Sequence, residues 1–388
     1  MLSLTSSTIR RPWRRLAAAA VSATALTLVS ACGGGGSTAE EPEENVIAEG
    51  EYPDYYPAAY ADLVETAEGE GGQLTIYSNT SEENWAPIFR DFQKKYPFVE
   101  EVSANDLDSD EVFQKVLSEQ ATGSSPVDLV VSNASSAWAG FAARDDVLAE
   151  YESPELDEVP EFAQLLPNVF AMSMDPQLIA YNTALVEEAP TGIADFAEMV
   201  AAEPDKYDDK ITVRDPESSF GFSVTRAYTE AVPTAWDAFE TLLPAARPET
   251  SSGTQMEKIL AGEYLAGFFI SGGPAFPVVD DSDGLVETVY PEEGTVVLPR
   301  GIGIASDAPH PATAKLFIDF VLSEEGQRAV AEGGLSSFRQ GIEGPGLHTY
   351  QELVEEVGED AVHQVAYEEI PEADVEAWLE RFYGLVEQ

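Results

Sequence analysis

Three stretches place hydroxyl and amide side chains where a β-rich run hands over to a helical pattern. They are Ser78, Asn79, Thr80 and Ser81 after residues 74–77; Ser132, Asn133 and Ser135 after residues 127–131; and Ser218 and Ser219 ahead of a third helix. Amide N–H groups in a helix's first turn have no intrahelical partner and lie at the positive end of the helix dipole, so such junctions suit an oxyanion. Ser271, Gly272 and Gly273 add small residues and free amides of the same kind. Capping alone accounts for any single hydroxyl, and Thr80 with Glu83 fits a capping box. The convergence of three clusters is what points to a ligand. Tyr181 and Tyr290 are aromatic candidates, with core packing as the alternative. Arg214 and Arg226 are the nearest charge partners for an anion, or else solvated surface residues.

Other chemistries find little material. The three histidines, His310, His348 and His363, all come late in the chain, and no cofactor or metal site is expected. Asp280, Asp281 and Asp283 beside Gly284 miss the spacing of a calcium loop and read as a solvated turn. There is no phosphate-binding P-loop, zinc-protease His-Glu pattern, nucleophile elbow or dinucleotide fingerprint, so an enzyme is not expected. Lys and Arg number 20 against 71 Asp and Glu, a net charge of −51, which excludes a binder driven by nucleic-acid phosphates.

Residues 1–31 carry Arg10, Arg11, Arg14 and Arg15, no acid, and an apolar run over residues 16–31 too short for a comfortable membrane span, which reads as an export signal. Arg10 and Arg11 touch the twin-arginine pattern, but Pro12 and Trp13 fit it loosely and a plain basic leader is the better reading. Leu28-Val29-Ser30-Ala31-Cys32 resembles the bacterial lipobox, which implies a lipid on Cys32, the only cysteine, and a chain held at the outer face of the cell membrane. Residues 32–56 read as a flexible acidic tether. Loss of the leader takes the net charge to about −55. Self-repulsion of that size is screened where the Debye length falls to ~3 Å, near 1 M salt, so a saline habitat is expected.

The body alternates strands and helices: residues 74–77, 99–102 and 127–131 extended, with helices over 57–72, about 82–96 and 110–121. This spacing predicts an α/β fold with a largely parallel sheet. Residues 168–174 and 177–182 read as two successive strands joined by Asp175-Pro176 that cross between lobes. A second α/β stretch follows. Residues 295–298 and 302–304 read as separate strands, residues 311–322 and 325–331 as helices, and residues 373–385 as a final helix with Val375, Trp378, Leu379 and Phe382 on one side.

The order of residues 74–78, 92–97, 127–132, 179–182 and 210–216, the Tyr290-Pro-Glu-Glu-Gly294 turn and the segment 308–327 together resemble the solute-binding proteins of ABC importers, in particular the ferric-iron-type group. The resemblance spans roughly residues 55–388. It implies a periplasmic-binding-protein fold, two α/β lobes with a hinge, closing on a solute and delivering it to membrane permease subunits, with the protein a monomer. The expected division is 57–180 for the first lobe, 181–289 for the second, 290–340 returning to the first, and 341–388 as a helical segment packed on both. Ferric sites in that group commonly use a late pair of adjacent tyrosines, whereas residues 267–274 here read Gly-Phe-Phe-Ile-Ser-Gly-Gly-Pro. A small organic oxyanion, a phosphonate or phosphate ester, is therefore the expected ligand. Ferric iron, or a polyamine or other cation held by Trp85, Trp138, Tyr181 and carboxylates, stand as alternatives.

Overall fold

The computed structural model describes residues 52–387; the leader, Cys32 and nearly all of the acidic tether lie outside the described residues. The chain enters through α1 (Tyr60–Glu68) and builds β1 (Gln73–Ser78), α2 (Glu82–Lys95), β2 (Glu101–Asp106), α3 (Glu111–Thr122), β3 (Leu129–Ser132) and α4 (Ser135–Ala142). A short β4 (Gln164–Leu166) leads into β5 (Val169–Asn182), every residue of which is buried. Next come α5 (Ile193–Ala202), α6 (Pro204–Tyr207), β6 (Ile211–Arg214), α7 (Ser219–Ala231), α8 (Ala235–Ala245), β7 (Ala246–Glu249), α9 (Ser252–Leu260), β8 (Ala266–Ser271), α10 (Gly272–Asp281) and β9 (Val286–Val289). The remainder is β10 (Thr295–Ile304), α11 (Pro311–Leu322), α12 (Glu324–Glu332), α13 (Tyr350–Val357), β11 (Val362–Gln364) and α14 (Glu372–Val386).

The strand order β2-β1-β3-β10-β5-β8-β6-β7 divides at β5. Its first half pairs antiparallel with β10, Arg300 opposite Ser173 and Val297 opposite Pro176; its second half pairs antiparallel with β8, Leu178 opposite Ile270. Pro176 lacks the N–H a ladder needs, and the change of partner falls beside it. What reads from sequence as two strands is thus one strand of 14 residues serving two sheets. The sheet is parallel within each half, β1 with β2 and β3, and β6 with β7 and β8, while β10 and β5 run antiparallel between them and the short β11 adds to β10 in parallel. The largely parallel expectation fails there, because chain segments that cross between lobes return in the opposite sense.

Each lobe has its own core. Tyr77, Phe113, Val116, Val130, Trp138 and Phe141 pack together in the first lobe, and α2 and α11 stack Trp85, Phe92, Tyr96, Phe317 and Phe320 on that sheet's other face. In the second lobe Phe196, Tyr207, Tyr228, Phe239 and Phe268 form a cluster that Phe382 of α14 completes. The helix expected over 373–385 is present, with Trp378 stacked on Phe382 at 5.4 Å.

Candidate ligand-binding cleft

A cavity of about 1590 Å³ lies between the two sheets. Its size exceeds the roughly 300–1,000 Å³ of an enclosed ligand pocket, as an open cleft would. The first lobe contributes Asn79, Thr80 and Asn133 from the loops after β1 and β3; the second contributes Arg214, Ser218, Ser252, Ser271 and Gly273 from the ends of β6 and β8 and the starts of α7, α9 and α10. Ser81, Ser218 and Ser251 cap α2, α7 and α9 by accepting from the amides of Asn84, Gly221 and Thr254. The cap of α2 is therefore Ser81 rather than Thr80. At Gly221 a Cβ would lie 2.0 Å from the Asp215 carbonyl, so only glycine lets α7 start so close to the loop that follows Arg214.

Arg214 is the unusual group. It ends β6, its guanidinium lies 4.7 Å over the Phe220 ring, and both Nε and Nη1 are buried without a hydrogen-bond partner. Burial pulls its pKa down to about 10, with only neighbouring Asp215 opposing that shift. Removing guanidinium N–H groups from water without acceptors is costly. Ser271, the residue before α10, makes no cap, and its Oγ is likewise buried and unpartnered.

A second arginine escaped the sequence reading. Arg300 lies mid-β10, 5% exposed, where the run 295–304 was divided into two strands at Pro299-Arg300-Gly301. Its Nη1 donates to Asn79 Oδ1 (3.0 Å) and Thr80 Oγ1 (3.1 Å), its Nη2 to Asp175 Oδ2 (3.0 Å), and its Nε has no partner. The signal was available: a charged residue inside an apolar run that is really one continuous strand. Asn79 Nδ2 in turn donates to Asn133 Oδ1 at 2.7 Å, fixing both amides on the cleft wall.

The remaining candidates lie elsewhere. Ser78 is fully buried and holds its own loop by accepting from the Thr80 amide. Ser132 is buried likewise, accepting from the Ala134 amide and donating to the Ser109 carbonyl. Ser219 faces the rim and donates to Asp110. Ser135 binds Ser223, and with Arg226 it lines a separate cavity of about 390 Å³ behind the cleft. Arg226 is engaged by Glu230 and Glu368 rather than free for an anion. Gly272 is packed against the Phe276 ring, and Gly273 reaches the cleft in its place. Tyr181 sits in the second core with its hydroxyl on Glu287 at 2.6 Å; burial, then that bond, pushes its pKa up to about 12. Tyr290 lines a side pocket with His348, Glu352 and Glu356, and burial raises its pKa. Trp85 and Trp138 are core residues, so the cation cage drawn from them and Tyr181 does not exist. Among the described residues no tyrosine lines the cleft. Asp280 and Asp281 belong to the last turn of α10, and only Asp283 lies in the turn beyond; among the described residues no group of three or more His, Cys, Asp or Glu is set to hold a metal.

Residues 88–352 match the family described as bacterial extracellular solute-binding protein. The chain belongs to this family. Its members take up small-molecule ligands outside the cell and work with ABC permeases. The solute-binding chain is 24% identical over 284 residues, 68% of its own length and 75% of the relative's, to Iron uptake protein A1 of Synechocystis sp.. Its fold is similar to the substrate-binding protein of an ABC transporter from Agrobacterium tumefaciens, with a TM-score of 0.72 at 19% identity, covering 82% of this chain and 96% of that one. It is also similar to the periplasmic binding protein AfuA of Actinobacillus pleuropneumoniae, solved with fructose-6-phosphate, with a TM-score of 0.62 at 21% identity, covering 80% and 99%. These likenesses establish the two-lobed binding-protein architecture. Among the described residues no helix is long and apolar enough to cross a membrane.

Proposed function

We propose that this solute-binding protein captures a small organic oxyanion, a phosphate ester or a phosphonate, in the cleft and hands it to its permease. The observation that carries the reading is half-buried Arg214, a cleft-lining residue whose Nε and Nη1 are shut away from water without a partner. Every buried unpartnered polar atom on Arg214, Arg300 and Ser271 is a donor or can become one, and three capped helix starts present further amides beside them. A tetrahedral oxyanion supplies acceptors in several directions at once, and an arginine fork matches two of them. The relative solved with a sugar phosphate has the same fold. In this reading the protein turns nothing over and acts as a monomer. Residues 57–180 and 290–340 form one lobe and residues 181–289 the other. A lipid on Cys32 keeps the body at the outer face of the membrane.

The test is calorimetry in high salt with fructose 6-phosphate, glycerol 3-phosphate, methylphosphonate, spermidine and Fe(III)–citrate. Oxyanion binding that is lost in Arg214→Met supports the proposal. Tight iron binding with oxyanions silent would overturn it in favour of the cargo for which the Synechocystis relative is named.

A further inference from the structure

Helix α7 carries Ser219 and Ser223 one turn apart on one face, and both serines meet the first lobe. Ser223 accepts from Ser135 of α4 at 3.0 Å, beside the segment 362–366 that lines the rear cavity. Ser219 donates to both oxygens of Asp110, 2.8 and 2.7 Å away, at the start of α3. Asp110 lines the cleft, as does Ser218 next to Ser219, whereas Ser135 and Ser223 do not. The two contacts therefore lie one turn apart along that face, the Asp110 contact next to the cleft lining and the Ser135 contact at the rear cavity.

We propose that Asp110 and Ser219 form a latch that fastens the lobes across the mouth of the cleft, while Ser135 and Ser223 mark the pivot about which α7 swings. The hydroxyl donates to a charged acceptor, a class of bond stronger than one between neutral groups. Asp110 makes no other side-chain hydrogen bond, and it does not cap its own helix. Nor does it neutralise Arg214, whose only opposing charge is Asp215, so the latch closes the mouth while the guanidinium stays available. Opening moves the mouth further than the pivot, so the Asp110 contact breaks and the Ser135 contact persists. The latch governs how long the ligand stays rather than what the ligand is. It rests on the oxyanion reading only where a ligand is added.

The test is a double-mutant cycle on the full chain with Asp110→Ala, Ser219→Ala and the pair, with Ser223→Ala as the control. In the absence of added ligand, small-angle scattering should show the same larger radius for both single variants and for the pair, and none for Ser223→Ala. With fructose 6-phosphate as probe, stopped-flow release should quicken about tenfold in each single variant, with no further gain in the pair, the change expected for loss of one charge-assisted bond. Wild-type scattering in both Asp110→Ala and Ser219→Ala would overturn the latch, as would strictly additive effects. Failure of the probe to bind wild-type protein would instead count against the oxyanion reading and leave the scattering arm to decide the latch.

Discussion

Two buried polar regions of this molecule use the same kinds of side chain to opposite ends. Under α1, Asp319 accepts from Tyr60 (2.8 Å) and Tyr151 (2.6 Å) through one oxygen and from Ser153 (2.6 Å) through the other. Nearby Glu155, 1% exposed at its side chain, accepts from Tyr55, Tyr56 and Arg339. Both oxygens of both carboxylates are thus satisfied by the chain itself. In the cleft, Arg214, Arg300 and Ser271 are left with bare donors. A satisfied network fixes one structure; a half-satisfied one is a liability unless something else completes it. The difference separates a fastening from a receptor.

Substitutions should respond accordingly. The largest effect is expected at the fastening: Glu155→Ala leaves the Arg339 charge without its carboxylate partner and should cost roughly 3–5 kcal/mol in denaturant unfolding, with ligand affinity of the folded fraction unchanged. Arg214→Met should do the reverse, abolishing oxyanion binding while raising stability by about 1–3 kcal/mol, because it removes two buried guanidinium N–H groups that have no partner in the chain. A loss of stability in Arg214→Met would mean that the arginine is a strut, and the contrast would collapse.

A finer test uses pH. Burial raises the Asp319 pKa to about 6, against the pull of its three hydroxyl donors. The folded value lies above the unfolded one, so the folded state holds the proton longer. This contribution to stability is fully present below about pH 4 and is lost as pH rises through about 6. Asp319→Asn should flatten that component, an effect of about 2–3 kcal/mol between pH 4 and pH 7 in the difference between the two proteins' unfolding free energies. Parallel curves would show that the carboxyl is not protonated in the fold.

Much of the architecture was legible in the sequence, because amphipathic helices such as α2 and α11 and apolar strands such as β8 announce themselves by period and composition. The crossing strands were not. Asp175-Pro176 and Pro299-Arg300 look like breaks in short strands, and only pairing across the fold turns them into the middles of β5 and β10. The same blind spot hid Arg300. Hydroxyls at strand ends pointed to junctions that line the cleft, but several of the hydroxyls themselves do not reach it. A strand reaching one residue further, as β1 and β3 do, buries Ser78 and Ser132, while Asn79 and Asn133 behind them face the cleft.

The place of β10 in the sheet has a consequence for the chain's birth. Val131 of β3 pairs with Ile302, about 170 residues later, after the second lobe has been made. Until then the edge of β3 offers unpaired N–H and C=O groups to any passing strand, an aggregation hazard for a nascent chain. Synthesis from the N-terminus therefore keeps the first lobe unfinished until the second is complete. In pulse-labelled hydrogen exchange, the amides of β3 that face β10 are expected to gain protection together with β10, after those of β6–β8, and earlier protection of the β3 edge would contradict this order.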